Sequence, residues 1–360
     1  MADVIEWTWF FSLLALTGYY MIIFRKPVFP KVLQYLEWPG VSVVIAHQND
    51  VEFLEKNIGA INSQDYPLFE IIIVDDHSSA EQKFKLNNLQ EQFTKLKVLA
   101  SDIAGKKNAL NKGIQSAQFE LILVTDADCQ PLSNQWIKKM VLSGRGAQVV
   151  LGYSPYRKKN GWLNLLIRFE TMMTAIQYLS WAAAGKPYMG VGRNMMYHRS
   201  LFQRVDPYKT PQLIPFGDDD LWIQEASQLA RVKICDEQEA HVITEPPSTW
   251  KDWFRQKHRH MSAGYFYKNG SWLKPGIFGV VLVMHWLLIP FLIMDSYWWK
   301  WFPVFLIALV IRWIKYGSWT QRLGEKDSVI WYPILEINYA LYLGITGVYT
   351  ILNRKRTWSR

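Results

Sequence analysis

The sequence predicts an α/β fold with a mostly parallel sheet, flanked by apolar helices at both ends of the chain. Short β-rich runs alternate with helical patterns from residue 41 to residue 242, and this alternation is typical of a parallel sheet covered on both faces. Outside that region, apolar stretches long enough to cross a bilayer occur near both ends. The 360 residues are 50% hydrophobic and include 18 Trp, which concentrate near the two ends as expected for membrane–water interfaces.

The first element is an apolar span, Ile5–Phe24, of about the 20 residues that a bilayer crossing requires. Arg25, Lys26 and Lys31 follow it, so the positive-inside rule places the next part of the chain in the cytoplasm. The span lacks the basic start and the small-residue cleavage site of a secretory signal peptide. We therefore expect residues 1–30 to form a transmembrane anchor in the cell inner membrane.

Residues 38–248 are expected to form the α/β domain. Five runs rich in β-branched and apolar residues predict its strands: Val41–Ala46, Glu70–Val74, Lys97–Ala100, Glu120–Thr125 and Gln148–Gly152. Four helical patterns predict the intervening helices: Val51–Asn62, Ala80–Phe93, Lys107–Ala117 and Asn134–Leu142.

An amphipathic segment is expected over residues 249–270. Aromatic and basic residues alternate between Trp250 and Phe266, a pattern that suits a helix lying at the membrane face. It links the α/β domain to the apolar last third of the chain.

Three apolar stretches within residues 274–353 are each long enough to cross or enter a bilayer: Gly276–Met294, Tyr297–Lys315 and Pro333–Leu352. With the anchor, they predict a multi-pass membrane protein with a cytoplasmic α/β domain. Three crossings would place the basic tail, residues 354–360, outside, against the charge rule. Because Lys300 and Arg312 interrupt the second stretch, we expect that stretch to be re-entrant or interfacial.

Several function classes are excluded or disfavoured. The net charge is +9, but Lys and Arg cluster beside apolar spans rather than among base-stacking aromatics, which favours anionic lipid over nucleic acid as a partner. Cys129 and Cys235 have neither metal-ligand spacing nor a disulfide framework. No Gly-x-Gly-x-x-Gly motif opens a helix after the first strand, so a Rossmann dinucleotide site is not expected, and the Walker A motif of a P-loop nucleotide site is also absent.

Acidic clusters follow the predicted strands. Asp75-Asp76 ends one strand, Asp126-Ala-Asp128 ends another, and Asp218–Asp220 precedes an amphipathic helix. Ligands bind at the carboxyl edge of open α/β sheets, and paired carboxylates there suit a hard divalent cation such as Mg²⁺ or Mn²⁺. Each cluster taken singly is explained about as well by a solvated loop or a helix start.

Seven motifs in register resemble those of a membrane-anchored family 2 glycosyltransferase with the GT-A fold, a Rossmann-like, mostly parallel α/β domain. They are Pro39-Gly-Val-Ser-Val-Val-Ile45, Gln64-Asp-Tyr-Pro67, Ile73-Val-Asp75-Asp76-His-Ser-Ser79, Gly105-Lys-Lys-Asn-Ala-Leu-Asn-Lys112, Asp126-Ala-Asp128, Gly217-Asp-Asp-Asp-Leu221 and Gln256-Lys-His-Arg259. The resemblance covers residues 38–262 and implies inverting, metal-dependent sugar transfer.

The resemblance assigns the donor site. Asp75 and Asp76 match the pair that recognises the base and ribose of the nucleotide, and Lys106 matches a basic loop near it, although a solvated helix start explains this lysine too. Asp126 and Asp128 match the metal-binding pair, with Asp128 favoured as the direct ligand and Asp126 nearer the ribose or the sugar. A UDP-sugar is the favoured donor, and Mg²⁺ or Mn²⁺ is the expected cofactor.

The resemblance also assigns the acceptor side. Asp219 matches the general base and Asp218 a residue that positions the acceptor. Gln256 and Arg259 match a donor-diphosphate motif, and His260, at the acceptor end of that motif, stands where the family has an acceptor-stacking Trp. Asn194, in a glycine-rich loop, could bond a sugar hydroxyl, and a structural role in the turn is about as plausible.

The function that these assignments imply is transfer of a sugar from a nucleotide sugar to a lipid-linked or glycan acceptor at the cytoplasmic membrane face. A small processive polysaccharide synthase is an alternative, disfavoured by the few spans and the missing Trp. A catalytically silent, sugar-nucleotide-binding membrane subunit is another, disfavoured by the three acidic clusters.

Overall fold

The structure of the chain, a computed structural model, describes residues 2–24, 37–49, 51–205, 218–268, 270–294 and 298–352, with only the backbone of Ala2, Asp218 and Tyr265. The basic residues predicted to flank the first span and the basic tail lie outside the described residues.

A seven-stranded sheet forms the centre of the α/β domain, in the order β3-β2-β1-β4-β7-β6-β8. Its strands are β1 (Val41–His47), β2 (Phe69–Asp75), β3 (Leu96–Ala100), β4 (Leu121–Val124), β6 (Val149–Gly152), β7 (Met195–His198) and β8 (Val232–Cys235). Neighbouring strands are parallel except where β7 pairs with β4 and β6. The predicted mostly parallel α/β sheet is therefore confirmed.

All five predicted strands are present, with ends that differ by at most one residue. Sequence reasoning missed β7 and β8, and also the two-stranded sheet of β5 (Gln130–Pro131) and β9 (Val242–Ile243). β7 was missed because its own residues give a weak strand signal: Met-Met-Tyr-His includes no β-branched side chain, and only its Tyr is enriched in strands. Pairing on both sides holds it in the sheet.

Helices cover both faces of the sheet. In the α/β domain they are α2 (Val51–Asn62), α3 (Ala80–Gln92), α4 (Lys106–Gln115), α5 (Trp136–Ser143), α6 (Trp162–Ala183), α7 (Arg199–Arg204) and α8 (Asp218–Leu229). Alternate strand residues face two separate clusters: Ile72 and Val74 of β2 lie in one core, and Ile71 and Ile73 lie in the other. This is the two-residue period of a strand that is buried on both faces.

The remaining helices are α1 (Ala2–Gly18), α9 (Trp250–Ala263), α10 (Leu273–Ile293), α11 (Phe302–Leu323) and α12 (Tyr332–Leu352). Three helical segments of the described chain are long and apolar enough to cross a membrane: Leu273–Ile293, Phe302–Leu323 and Lys326–Leu352. The first predicted span forms α1, which continues as a π-helical turn over Tyr19–Ile23 and packs against α10 and α11.

The charge that we expected to interrupt α11 is buried. Arg312 is fully buried, and its Nε and Nη2 donate to the two carboxylate oxygens of Glu336 on α12 at 3.2 and 3.1 Å. Inside a membrane, ionisable side chains face the helix bundle and pair with one another in this way. The presence of Arg312 is therefore no reason to exclude a full crossing by α11.

The amphipathic segment forms α9, whose apolar side contacts protein. Trp253 is fully buried and stacks on Tyr342 of α12 with ring centroids 4.8 Å apart. Lys257 is also buried, in an ion pair with Glu170 of α6. The helix therefore connects the α/β domain to α12, and its position at the membrane face stays a prediction.

Candidate active site

The strand ends bring acidic residues together at one edge of the sheet. β1 pairs in parallel with both β2 and β4, so the carboxyl ends of these strands, followed by Asp76 and Asp126, lie at the same edge. A cavity of about 1580 Å³ opens there. Its lining includes Lys106, Asp126, Asp128 and Asp219.

The acidic pair after β2 is buried beside this cavity. Asp75 and Asp76 are each only 4% exposed. One carboxylate oxygen of Asp76 accepts from the backbone N–H of Gly105 at 2.8 Å, and Gly105 lines the cavity. Neither acid of the pair is itself a lining residue in the described part of the chain. The predicted contact of this pair with a nucleotide is therefore neither supported nor excluded by the lining of the cavity.

Lys106 joins two of the acidic clusters. Its Nζ lies 2.6 Å from Oδ1 of Asp126. Burial lowers the pKa of Lys106, but the charges of Asp126 and Asp219 outweigh burial and raise it overall. Conversely, burial raises the pKa of Asp126, while the cations Lys106 and Arg193 hold it below its usual value. Both side chains therefore keep their charges at neutral pH.

The acids of the Asp-Ala-Asp motif suit a divalent cation. Ligand atoms of Asp126, Asp128 and Cys129 all lie within 4.8 Å of one another, and Asp128 is exposed to the cavity, with Oδ2 accepting from the hydroxyl of Thr244 at 2.9 Å. Burial raises the pKa of the Cys129 thiol well above its usual value, and its soft sulfur suits a hard cation poorly. The two carboxylates thus fit Mg²⁺ or Mn²⁺, which prefer oxygen donors.

The glycine-rich loop before β7 is tied to the acids at the start of α8. Backbone N–H of Gly192 donates to Oδ2 of Asp219 at 2.9 Å, and that of Gly190 donates to Oδ1 of Asp220 at 3.3 Å. A Cβ at position 192 would lie 2.2 Å from the Asp219 oxygen, so only glycine permits this approach. The loop thereby orients Asp219, while the side chain of Asp218 lies outside the described residues.

Asn194 does not face the cavity, which agrees with the structural role and not with the acceptor contact, the two roles considered for it above. Its side chain is fully buried. Its Oδ1 accepts from the indole N–H of Trp136 at 2.9 Å, and its Nδ2 donates to the carbonyls of Tyr153 and Ala240 at 2.9 and 2.8 Å. With both ends of the amide engaged, Asn194 is a structural residue that connects the sheet to α5.

Helix α9 presents only part of its predicted motif to the cavity. Gln256 and His260, one turn apart, both line it, whereas Arg259 is exposed and is not a lining residue in the described part of the chain. The lining of the cavity therefore gives no support to the predicted contact of Arg259 with the donor, because the helical phase directs this side chain elsewhere, and that contact stays a prediction. Burial and the nearby Lys257, Arg193 and Arg259 lower the pKa of His260 to about 3, so this ring is neutral.

Sequence reasoning missed two residues of the site, Arg193 and Tyr156. Arg193 lies in the glycine-rich loop, and its guanidinium carbon is 5.0 Å from the centroid of the Tyr156 ring. The hydroxyl of Tyr156 lies 3.1 Å from Oε1 of Gln256. All three line the cavity. The signal available in the sequence for Arg193 was a cationic residue directly after the two glycines, Gly190 and Gly192.

Comparison with known proteins agrees with this architecture. The fold is similar to that of mannosyltransferase PcManGT from Pyrobaculum calidifontis, a structure in complex with GDP-Man and Mn²⁺, with a TM-score of 0.61 at 15% identity over 95% of this chain and 98% of that one. Strand order, acidic cleft and this likeness define a GT-A type α/β domain. Residues 42–206 match the family described as glycosyl transferase family 2, and the chain carries a domain of that family.

Relatives in sequence include glycosyltransferase AglE of Haloferax volcanii, 31% identical over 52% of this chain and 62% of the relative. Probable glycosyltransferase YdaM of Bacillus subtilis is 26% identical over 62% of this chain and 54% of its own length. The beta-monoglucosyldiacylglycerol synthase of Trichormus variabilis is 30% identical over 43% of this chain and 36% of its own. The chain thus spans between about a third and three fifths of the length of these relatives.

Proposed function

We propose that this chain is a membrane-bound, inverting glycosyltransferase that moves a sugar from a nucleotide sugar to a lipid-linked or glycan acceptor at the cytoplasmic membrane face. One observation carries the proposal. Acids from distant parts of the sequence, Asp126, Asp128 and Asp219, line a single cavity together with Lys106. Carboxylates that converge in this way repel one another unless a cation or a reaction requires them.

In the proposed reaction, Asp219 takes the proton of the acceptor hydroxyl while the oxygen attacks the anomeric carbon of the donor sugar. The bond from that carbon to the diphosphate breaks on the opposite face, so the configuration inverts. A divalent cation held by Asp126 and Asp128 would stabilise negative charge on the leaving group. The loop contact at Gly192 holds the Asp219 carboxylate in place during this transfer.

The shape of the cavity favours a lipid as the acceptor. From Asp219 it continues between α10 and α12, where its lining is apolar and includes Phe278, Met284, Leu343 and Val348. An acceptor with a polar head and an apolar chain would place its head beside Asp219, the proposed general base, and its chain between these helices. The relative named as a diacylglycerol glycolipid synthase supports the same class of acceptor.

The direct test uses the purified full chain with Mn²⁺ and a panel of nucleotide sugars. Release of a nucleoside diphosphate, even as slow hydrolysis, identifies the donor, and we expect a UDP-sugar to give the largest signal. Absence of both binding and release across UDP-, GDP- and other donors would contradict the proposal.

Removal of metal is the second test. Excess chelator is expected to abolish release of nucleoside diphosphate, and added Mg²⁺ or Mn²⁺ should restore it, because Asp126 and Asp128 would otherwise face a negatively charged diphosphate directly. Full activity in excess chelator would refute metal dependence and leave the glycosyltransferase assignment in place.

A further inference from the structure

Arg193 is held in the cavity by its neighbours on both sides. Before it, the N–H of Gly192 donates to Asp219, and after it, the buried amide of Asn194 makes three hydrogen bonds. The backbone at Arg193 is therefore fixed between the proposed base and the core. Its side chain lines the cavity, where it is half-buried.

The guanidinium of Arg193 lies on the face of Tyr156 and near the proposed cation site. The ring of Tyr156 supports one face of the guanidinium at 5.0 Å, a cation–π contact that leaves the N–H groups at its edge available. Burial lowers the pKa of Arg193, but neighbouring groups that include Asp126 and Asp128 raise it overall. The charge therefore persists.

Two other cations that line the cavity are paired with acids. Lys106 is paired with Asp126, and Lys257 is paired with Glu170. Arg259 does not line the cavity in the described part of the chain. Among the described residues Arg193 makes neither an ion pair nor a hydrogen bond with a carboxylate. A guanidinium placed in this way is a binding group for an oxyanion.

We propose that Arg193 binds the diphosphate of the departing nucleotide and thus performs the task that the sequence motif assigns to Arg259. The inference rests on the proposed function. When the glycosidic bond breaks, its electron pair remains on the diphosphate oxygen, and the acceptor proton passes to Asp219. The diphosphate then carries more charge than one divalent cation neutralises, and a guanidinium in the same cavity as Asp126 and Asp128 offsets the remainder through two parallel N–H···O bonds.

The test compares binding of nucleoside diphosphate and monophosphate to the full chain in detergent with Mn²⁺, by titration calorimetry. UDP with UMP and GDP with GMP are the probes, and the nucleoside that binds wild type more tightly is used for the variants. Arg193→Gln is expected to weaken the diphosphate about 10- to 100-fold and the monophosphate less than about threefold. Arg193→Lys should recover part of the loss, since it restores charge without the bidentate geometry.

Two further variants make the result specific. Arg255→Gln removes an exposed arginine of α9 that pairs with Asp252, and it should bind as wild type. Arg259→Gln is expected to change diphosphate binding less than about twofold. Thermal unfolding of each variant shows whether the fold is kept.

The inference is overturned if Arg193→Gln binds diphosphate as wild type does, or if it weakens mono- and diphosphate equally. It is likewise overturned if Arg259→Gln alone produces the diphosphate-specific loss, or if Arg193→Gln changes only the KM for a lipid acceptor. Wild type that turns over a nucleotide sugar while Arg193→Gln is normal refutes the role of Arg193 only. Wild type that binds no nucleotide refutes the proposed function as well.

Discussion

Asp219 and Asn194 are polar residues that contact the same short loop, and the structure separates their roles. Asp219 lines the cavity, and its Oδ2 accepts from the backbone N–H of Gly192. Asn194 is fully buried, and its amide bonds to Trp136, Tyr153 and Ala240. Catalysis is therefore expected to depend on the first residue and stability on the second.

Replacement of Asp219 by Asn should abolish turnover and keep the loop in place, because the amide oxygen can still accept from Gly192. We expect the rate of transfer to fall about 10²- to 10⁴-fold, the usual contribution of a general base, with donor binding within about threefold of wild type. Measurement of product release and donor affinity separates the two effects. Asp65→Asn, at an exposed acid that pairs with Lys138, is the control. Wild-type turnover in Asp219→Asn would show that Asp219 is not the general base, whereas donor binding without turnover in the wild-type protein would favour a silent binding subunit.

Asn194→Ala is expected to destabilise the protein with little effect on acceptor binding. The substitution leaves the indole N–H of Trp136 and two buried carbonyls without their partner, at a cost of about 2–4 kcal/mol in unfolding free energy. A lower midpoint of thermal unfolding would agree with this role, provided that the KM for the acceptor, measured at a temperature well below that midpoint, is unchanged. Asn88→Ala, at an exposed position of α3, should unfold as wild type does. A raised KM at unchanged stability would restore the predicted acceptor contact.

At the scale of elements, an ion-pair cluster joins α6 to the turn between α11 and α12. Arg168 is 4% exposed and pairs with the buried Glu325. Its Nη1 and Nη2 also donate to Asp327 at 3.0 and 2.6 Å. The exposed Lys158 lies 2.7 Å from the same Asp327. This cluster fixes the α/β domain relative to the candidate spans, and with it the apolar part of the cavity.

The two cations of this cluster should differ greatly in their effect. Arg168→Gln leaves Glu325 buried without a cation and is expected to lower stability by about 3–5 kcal/mol. Lys158→Gln removes a charge that is 65% exposed and should cost about 1 kcal/mol or less. Thermal unfolding of both variants measures the contrast. Similar losses in the two variants would show that burial is not what makes the Arg168 contact strong.

For the whole molecule, the most consequential feature is one cavity that passes from the acidic cleft to the apolar helices. Gly347 of α12 lines its apolar part, and a Cβ there would meet no atom within 4 Å. A larger side chain at this position would therefore occupy the cavity itself. Asp126, Asp128 and Asp219 lie outside α12, so we expect the proposed donor site to be unaffected.

Gly347→Leu is expected to reduce transfer to a lipid acceptor roughly tenfold, as steric exclusion from an apolar site does, and to leave hydrolysis of the donor unchanged. The assay follows labelled sugar into lipid extract and into water. Ile345→Phe enlarges a side chain of the same helix at a position that is 61% exposed and should have no effect. If both variants transfer normally, the acceptor chain does not occupy this part of the cavity.

The sequence by itself determined the class of fold, the positions of most elements and the three acidic clusters. These are encoded locally: hydrophobic period marks strands and helices, and Asp126 and Asp128 follow directly from the end of a strand. The apolar segments near the carboxyl end were also predicted within a few residues, except for α11. That helix is Phe302–Leu323 where Tyr297–Lys315 was predicted, and its Arg312 is paired inside the protein. Local pattern suffices wherever one segment contains its own signal.

Only the tertiary structure decided which polar residues reach the cavity. Arg259 belongs to a recognisable motif and yet does not line it, whereas Arg193, with no motif of its own, lies on Tyr156 within it. Asn194, next in the chain, is directed into the core instead. The physical reason is that the direction of a side chain depends on helical phase and on packing between segments distant in sequence, and neither is contained in a local pattern of residues.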